Sequence, residues 1–472
     1  MANSPTPKPP RWRRSFARDR FGFQVLTLMS GTVPAQAAMV LAAPVLTRLY
    51  DPTDFAMYVL FIVGVNLISS IAPGRYDFAL VLPEDDEEAV NLLALALGLS
   101  LLVALATFAL AVAFRPWLAS WFDLPGGGYW IWLIAPGVLA YSWYNVMAKW
   151  QARKQRFRGM ARGEVGGCIA SLGTQITAGV LLASPTGIPL MCGHLLGRLT
   201  ATAVMFASSC GDLVRLRHQL DRGAIRAVAA RYWRFPVFSG PGILVGRAAH
   251  EVPKLMLAAC FAPQLLGYFS LGMRVLGAPA AVIGRATANV FFPRISKYRH
   301  DAARSRALLM KACLYLLALV SLPMLILAIW ADWIFAFVFG AEWAPAGHYA
   351  RLLIPMIAAQ FIVAPIRHTM QAFEKQHVVL VWHVCFLILS VTAFTVGHAA
   401  GSADVAILSY SLVSMVMFAV YVGMCFYYAQ ARDDRVEADS MPADSIPADS
   451  GQPYFARGAG RVKRAASSAA CN

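Results

Sequence analysis

Residues 89–114 read AVNLLALALGLSLLVALATFALAVAF, and no Asp, Glu, Lys or Arg interrupts them. The run is continuous and does not alternate with polar residues, which excludes the shorter strands of a membrane β-barrel. It is long enough for a helix to cross a bilayer, which takes roughly 20 mostly apolar residues. Working outward, similar runs fall near residues 22–46, 55–75, 129–148, 163–184, 187–207, 236–260, 264–290, 308–331, 345–366, 378–398 and 403–428. The composition agrees: 58% of the 472 residues are hydrophobic and 14% are charged. Soluble proteins carry about 25% charged residues. The expected fold is an all-α polytopic membrane protein with twelve transmembrane helices.

The net charge of +16 raises the question of nucleic acid, and its placement answers it. Lys and Arg crowd the N-terminal tail, the loops at Lys149–Arg162, Arg215–Arg234 and Arg294–Lys311, a weaker pair at Arg367 and Lys375, and the C-terminal tail. The loops between them are nearly free of both residues. This is the positive-inside pattern. It places both termini in the cytoplasm and makes the span count even. A basic face beside anionic membrane lipids needs no nucleic acid as partner.

Twelve spans divide as six plus six. The expected organisation is a basic tail over 1–21, a six-helix lobe over 22–207, a linker over 208–235, a second lobe over 236–430 and a disordered tail over 431–472. Within the linker, Gly223–Trp233 alternates Arg with Ala, Val and Ile, which reads as an amphipathic helix on the membrane. No loop has room for a folded catalytic domain. The eight cysteines show no paired spacing and the nine histidines form no HxH or HExxH, so neither disulfide, metal site nor cofactor is expected.

Two acidic stretches have a plain reading. In Thr47-Arg-Leu-Tyr-Asp-Pro-Thr-Asp-Phe, Asp51 suits an N-cap, Pro52 the first helical position and Asp54 the capping box. The acids at 84–88 follow Pro83 and start the third helix, where carboxylates complement the positive helix end. The sharper rivals, a paired-carboxylate transferase site and a divalent-metal site, are disfavoured. Arg75 is different, because it can reach into a cavity opening to the cytoplasm. The aromatics Tyr129, Trp130, Trp132, Tyr141, Trp143, Tyr144 and Trp150 read mostly as interfacial anchors.

Here the chain resembles a known family. Thr47–Phe55, the Arg75–Pro83 stretch and the acids after it look like the polysaccharide transporters that flip lipid-linked oligosaccharides. Gly267-Tyr-Phe-Ser-Leu-Gly-Met-Arg-Val-Leu-Gly-Ala-Pro, followed by Val290-Phe-Phe-Pro-Arg, is similar to the family's eighth span. Phe339-Gly-Ala-Glu-Trp-Ala-Pro-Ala-Gly-His-Tyr is similar to its signature before span 10. The similarity runs from about residue 20 to 430. Ala56 departs from it, where the family usually has glycine, and that bears on helix packing. The resemblance implies a bacterial inner membrane and a polyprenyl-pyrophosphate-linked substrate. It also implies a polysaccharide polymerase and chain-length machinery as partners.

The intramembrane charges are the candidate site. Arg247, Glu251 and Lys254 share one face of span 7, and Gly240-Pro-Gly with Pro253 should bend or interrupt that helix. Arg274 and Arg285 share a face of span 8. His194 and Arg198 lie in span 6 and Arg351 in span 10, where Arg198 and Arg351 either line the cavity or snorkel. Each charge costs on the order of 3 kcal/mol to insert, so each must face water, a counter-ion or a ligand. Spans 7 and 8 carry four cations against one acid. That excess suits an anionic pyrophosphate head group bound by Arg247, Lys254, Arg274 and Arg285, with Glu251 balancing charge and Arg75 assisting.

The expected activity is therefore flipping of a lipid-linked oligosaccharide by rocking of two lobes, with no covalent chemistry. The alternative is a cation-coupled multidrug exporter of the same superfamily. Such exporters use acids in the first lobe, and Phe21–Tyr50 holds none. A lipid II flippase carries two further C-terminal helices, where this chain has a polar tail. A glycan polymerase or glycosyltransferase would need a large external loop.

Overall fold

A computed structural model describes residues 31–121, 125–182, 186–298, 301–367, 369–373 and 375–430. The expected tails at 1–21 and 431–472, and the start of the first span, lie outside the described residues. Among those residues twelve long helices follow one another. They are α1 (Gly31–Leu49), α2 (Pro52–Ser69), α3 (Asp86–Trp121), α4 (Ile134–Arg153), α5 (Phe157–Leu181) and α6 (Ile188–Leu216). Then come α7 (Gly240–Cys260), α8 (Pro263–Lys297), α9 (Ala302–Phe339), α10 (Ala344–Ile366), α11 (Gln376–Ala399) and α12 (Ala403–Gln430).

Nine of these helices, among the described residues, are long and apolar enough to cross a membrane. The three that fall short are α5, α7 and α8. They are long enough, but α7 and α8 carry the intramembrane charges, and α5 begins with Arg158, Arg162 and Glu164.

The local signals act as their chemistry demands. Asp51 caps α2 with a complete capping box: its side chain accepts from the Asp54 amide at 2.9 Å, and Asp54 accepts from the Asp51 amide. The acids starting α3 are held by the end of α4. Lys154 donates to Asp86 at 2.6 Å, and Arg153 donates to the carbonyls of Pro83, Glu84 and Asp85. One expectation needs correcting. α7 runs unbroken through Pro253, and the irregularity lies before it, in a π-helical turn over Phe235–Ser239. The linker helix spans Arg222–Arg231 and docks on the first lobe, with Val228 buried and Tyr76 donating to the Ala229 carbonyl at 3.2 Å.

The two halves pair their helices in the same order. In the first, α2 packs on α4, α3 on α4, α4 on α6, α5 on α6 and α1 on α5. In the second, α8 packs on α10, α9 on α10, α10 on α12, α11 on α12 and α7 on α11. These are two six-helix lobes with a repeated topology. They meet where α2 packs on α7 and α8, and where α1 touches α9.

One end of this junction is closed. Trp343, just before α10, donates its indole N–H to the Thr47 carbonyl at 2.8 Å. Phe55 and Tyr268 stand edge-on to Trp343, with ring centroids 4.9 and 6.0 Å away. Gly267 lies so close to α2 that a Cβ there would sit 2.1 Å from the Pro52 carbonyl oxygen, so only glycine fits. Three of the quoted motifs therefore converge on one inter-lobe seal.

Candidate functional site

Glu251 sits at the lobe junction. It is buried and accepts from Lys254 Nζ at 2.6 Å and from Asn66 Nδ2 of α2 at 3.1 Å. Its counter-ion is thus Lys254, and its second oxygen ties α7 to the opposite lobe. Arg247, one turn before Glu251, is exposed and lies within electrostatic reach of Arg75. Arg274 reaches across from α8 and donates to the Met39 carbonyl of α1 at 3.1 Å. Among the described residues, neither Arg247 nor Arg274 makes an ion pair. Arg285 lies on α8, but its side chain falls outside the described residues.

Arg75 is buried rather than projecting into an open cavity. It adopts φ 61°, a left-handed conformation that L-residues with bulky side chains avoid. Its guanidinium lies over the Phe78 ring at 4.0 Å, and Lys149 approaches the same ring at 4.4 Å. Its Nε is buried with no partner. Asp77 is buried beside it, and burial pushes the carboxyl above its usual range, partly offset by Arg75 and Lys149.

Each lobe encloses a cavity. In the first lobe a cavity of 110 Å³ lies between α1, α5 and α6, with Glu164, His194 and Arg198 on its wall. Arg198 lies over the rings of Tyr144 at 4.6 Å and Tyr141 at 5.3 Å. Tyr144 donates to Glu164, and the Tyr58 hydroxyl meets His194 Nδ1 at 3.3 Å. Arg274 is within electrostatic reach of Tyr58 and His194, so it connects this cavity to the second lobe. Arg198 therefore faces tyrosines, while Arg351 pairs with Asp332 at 2.5 Å. The aromatics around α4 are not mainly interfacial anchors. Trp130 and Trp150 are buried, Trp143 donates to the Leu97 carbonyl, and only Tyr129 and Trp132 are exposed.

The second lobe holds a cavity of 460 Å³ between α7, α10, α11 and α12. His250, Lys254, Arg367 and His383 line it, and no carboxylate is among its described lining residues. Trp382, Phe386, Tyr410 and Tyr421 supply the walls. His383 Nδ1 sits 2.8 Å from the Val379 carbonyl, so it carries the proton and leaves Nε2 as an acceptor toward α7. The mouth lies at exposed Arg367 and Gln376, and the floor at buried Phe386 and Tyr410. Sequence reading found Lys254 here and missed His250, Arg367 and His383. Each comes from a different part of the chain and has no motif.

Residues 45–348 match the family described as polysaccharide biosynthesis protein. The chain belongs to that family. No curated protein matches it. Among solved structures it resembles an inward-facing multidrug resistance MATE transporter of the MOP superfamily. That match has a TM-score of 0.64 and 13% identity, over 86% of this chain and 96% of that one. An outward-facing MATE transporter gives 0.56 and 11%, over 87% and 96%. The lipid II flippase MurJ, in an inward closed conformation, gives 0.62 and 11%, over 90% and 93%. At these identities the likeness is one of fold. Family and fold together make the chain a member of a polysaccharide-biosynthesis family with the fold of these membrane transporters.

Proposed function

We propose that this protein is a transporter that flips a polyprenyl-pyrophosphate-linked oligosaccharide, a repeat unit of O-antigen, capsule or exopolysaccharide, across a bacterial inner membrane. The observation that carries the reading is the cation excess at the lobe junction. Arg247 and Arg274 meet no acid, and the one acid, Glu251, is occupied by Lys254 and Asn66. Charge-assisted hydrogen bonds from such groups suit a pyrophosphate. The same excess disfavours a cation-coupled drug exporter, because an organic cation would be repelled.

The basic loops put the sealed end at Thr47 and Trp343 outside and the Arg75 end inside. The cavity would load from the cytoplasm, and rocking of the lobes about the α2–α8 contact would expose it outward. Reporter fusions at Ser120 and Ser402 should then read outside and fusions at Arg158 and Arg304 inside; the reverse at either inside position sinks the orientation. Deleting the protein should leave a lipid-linked oligosaccharide accumulating on the inner leaflet, restored to normal by the wild-type chain. An unchanged pool of such lipids would remove the proposed substrate. A polysaccharide polymerase and chain-length machinery would take the flipped product.

A further inference from the structure

The second-lobe cavity shares a wall with a groove on the outside of the same lobe. The groove, 280 Å³ between α9, α10 and α12, is lined by apolar groups such as Leu314, Leu317, Ile362 and Met415. On α10, Ala359 and Ile362 face the groove, while Gln360, Val363 and Arg367 face the cavity. Among the described residues, Phe418 of α12 alone borders both. Its buried ring lies 5.9 Å from that of Trp382 and 5.8 Å from that of Phe386, so beside α10 a single side chain borders both spaces.

A cationic pocket and an apolar groove on either side of one aromatic ring form a two-part receptor. We propose that the second lobe binds a polyprenyl-type lipid from the side, with its phosphate head group in the cavity, its chain in the groove and Phe418 between them. This rests on the reading that the substrate is lipid-linked. The head group is selected by Lys254 and Arg367, the cationic lining groups, which form charge-assisted hydrogen bonds to phosphate oxygens. The chain contributes by apolar burial, about 25 cal/mol per Å². The cavity lies within the roughly 300–1,000 Å³ of ordinary small-ligand sites, so it takes a head group and leaves the glycan toward the mouth at Arg367.

The test is photo-crosslinking on the purified full-length protein. The probe is a polyprenyl diphosphate with a diazirine on its chain, and the labelled positions are read by mass spectrometry. Labelling is expected at Leu314, Ala359 and Met415 and should be competed by unlabelled polyprenyl diphosphate. The corresponding polyprenol, lacking the diphosphate, should label about tenfold less, as should Arg367→Ala, because each loses a charge-assisted bond. Size-exclusion profiles establish that the variant folds. Equal labelling by polyprenol would make the groove an ordinary lipid contact and overturn the proposal. Competed labelling confined to α1, α2 and α8 would also overturn it while leaving the flippase reading intact. An absence of competable labelling anywhere would remove both.

Discussion

In the first lobe α5 and α6 meet at Gly163, Gly167, Gly193 and Gly197. A Cβ on Gly167 would lie 2.7 Å from the Gly197 carbonyl oxygen, and one on Gly197 would lie 2.6 Å from that of Gly167. The helices that correspond in the second lobe, α11 and α12, also touch at one end, where a Cβ on Gly397 would lie 2.3 Å from the Ala406 Cα, but beside the cavity they meet through Trp382, Phe386, Phe418 and Tyr421, with ring centroids 5.2–5.9 Å apart. Small residues let backbones touch, as is common where membrane helices pack. Aromatic residues hold them apart. The pairing order is the same on both sides, yet one lobe encloses 110 Å³ and the other 460 Å³. Topology fixes where a cavity falls; side-chain size at one helix pair decides whether it can hold a ligand.

The comparison breaks most directly at Gly167. Gly167→Leu drives a side chain into a backbone carbonyl that cannot move aside, so the folded protein should be lost from the membrane. Gly423→Leu on α12 adds the same atoms where a Cβ meets nothing within 4 Å, and it should be tolerated. Detergent-extracted abundance and a monodisperse elution profile measure both. Normal folding of Gly167→Leu would mean that α5 and α6 do not touch as described.

The next effect separates the members of the one ion pair at the junction. Lys254→Ala leaves Glu251 buried with only Asn66 as partner. Stranding a buried charge costs about 3–5 kcal/mol, and the lower end applies because Lys254 borders a cavity. Glu251→Gln keeps an acceptor for Asn66 and leaves Lys254 facing that cavity, so it should cost less. Thermal unfolding in detergent ranks the two, and the opposite order would place the pair away from the cavity wall.

These contrasts show what a single sequence can reveal. The spans were legible because bilayer thickness imposes a length. The Asp51 cap was legible because capping is local. The motif stretches pointed to a family, and in space three of them build the seal at Trp343, Phe55 and Gly267, while Arg274 and Arg75 are what they contribute to the candidate anion site. What stayed hidden is tertiary. Tyr141 and Tyr144 face Arg198 instead of the membrane surface, and His250, Arg367 and His383 converge from three helices. Nothing local distinguishes a histidine lining a cavity from one packed in a core.

Arg274 joins the lobes, and its effect should appear in transport more than in folding. A hydrogen bond from a charged group contributes about 1.5–3 kcal/mol, so Arg274→Ala should weaken substrate binding on the order of tenfold to a hundredfold. Arg274→Lys should recover only part of that, since lysine keeps the charge without the planar fork. Glycan export at controlled membrane abundance is the measurement. Wild-type export by Arg274→Ala would leave the arginine as an inter-lobe tie to Met39.

The smallest effect sits at Arg75, where strain and charge can be pulled apart. The residue holds φ 61°, which costs a non-glycine residue about 1–2 kcal/mol. Arg75→Ala and Arg75→Gly both remove the guanidinium from Phe78, Asp77 and Ser70. They differ only in backbone freedom. Glycine relieves the strain but loses about 0.5–1 kcal/mol of chain entropy on folding, so Arg75→Gly should be about 1 kcal/mol more stable than Arg75→Ala. If the guanidinium helps hold an anion at the inner end of the cavity, the two variants should lose export equally despite that difference. Export that follows stability, higher for glycine than for alanine, would instead make Arg75 a structural residue of the α2–α3 loop and remove it from the site.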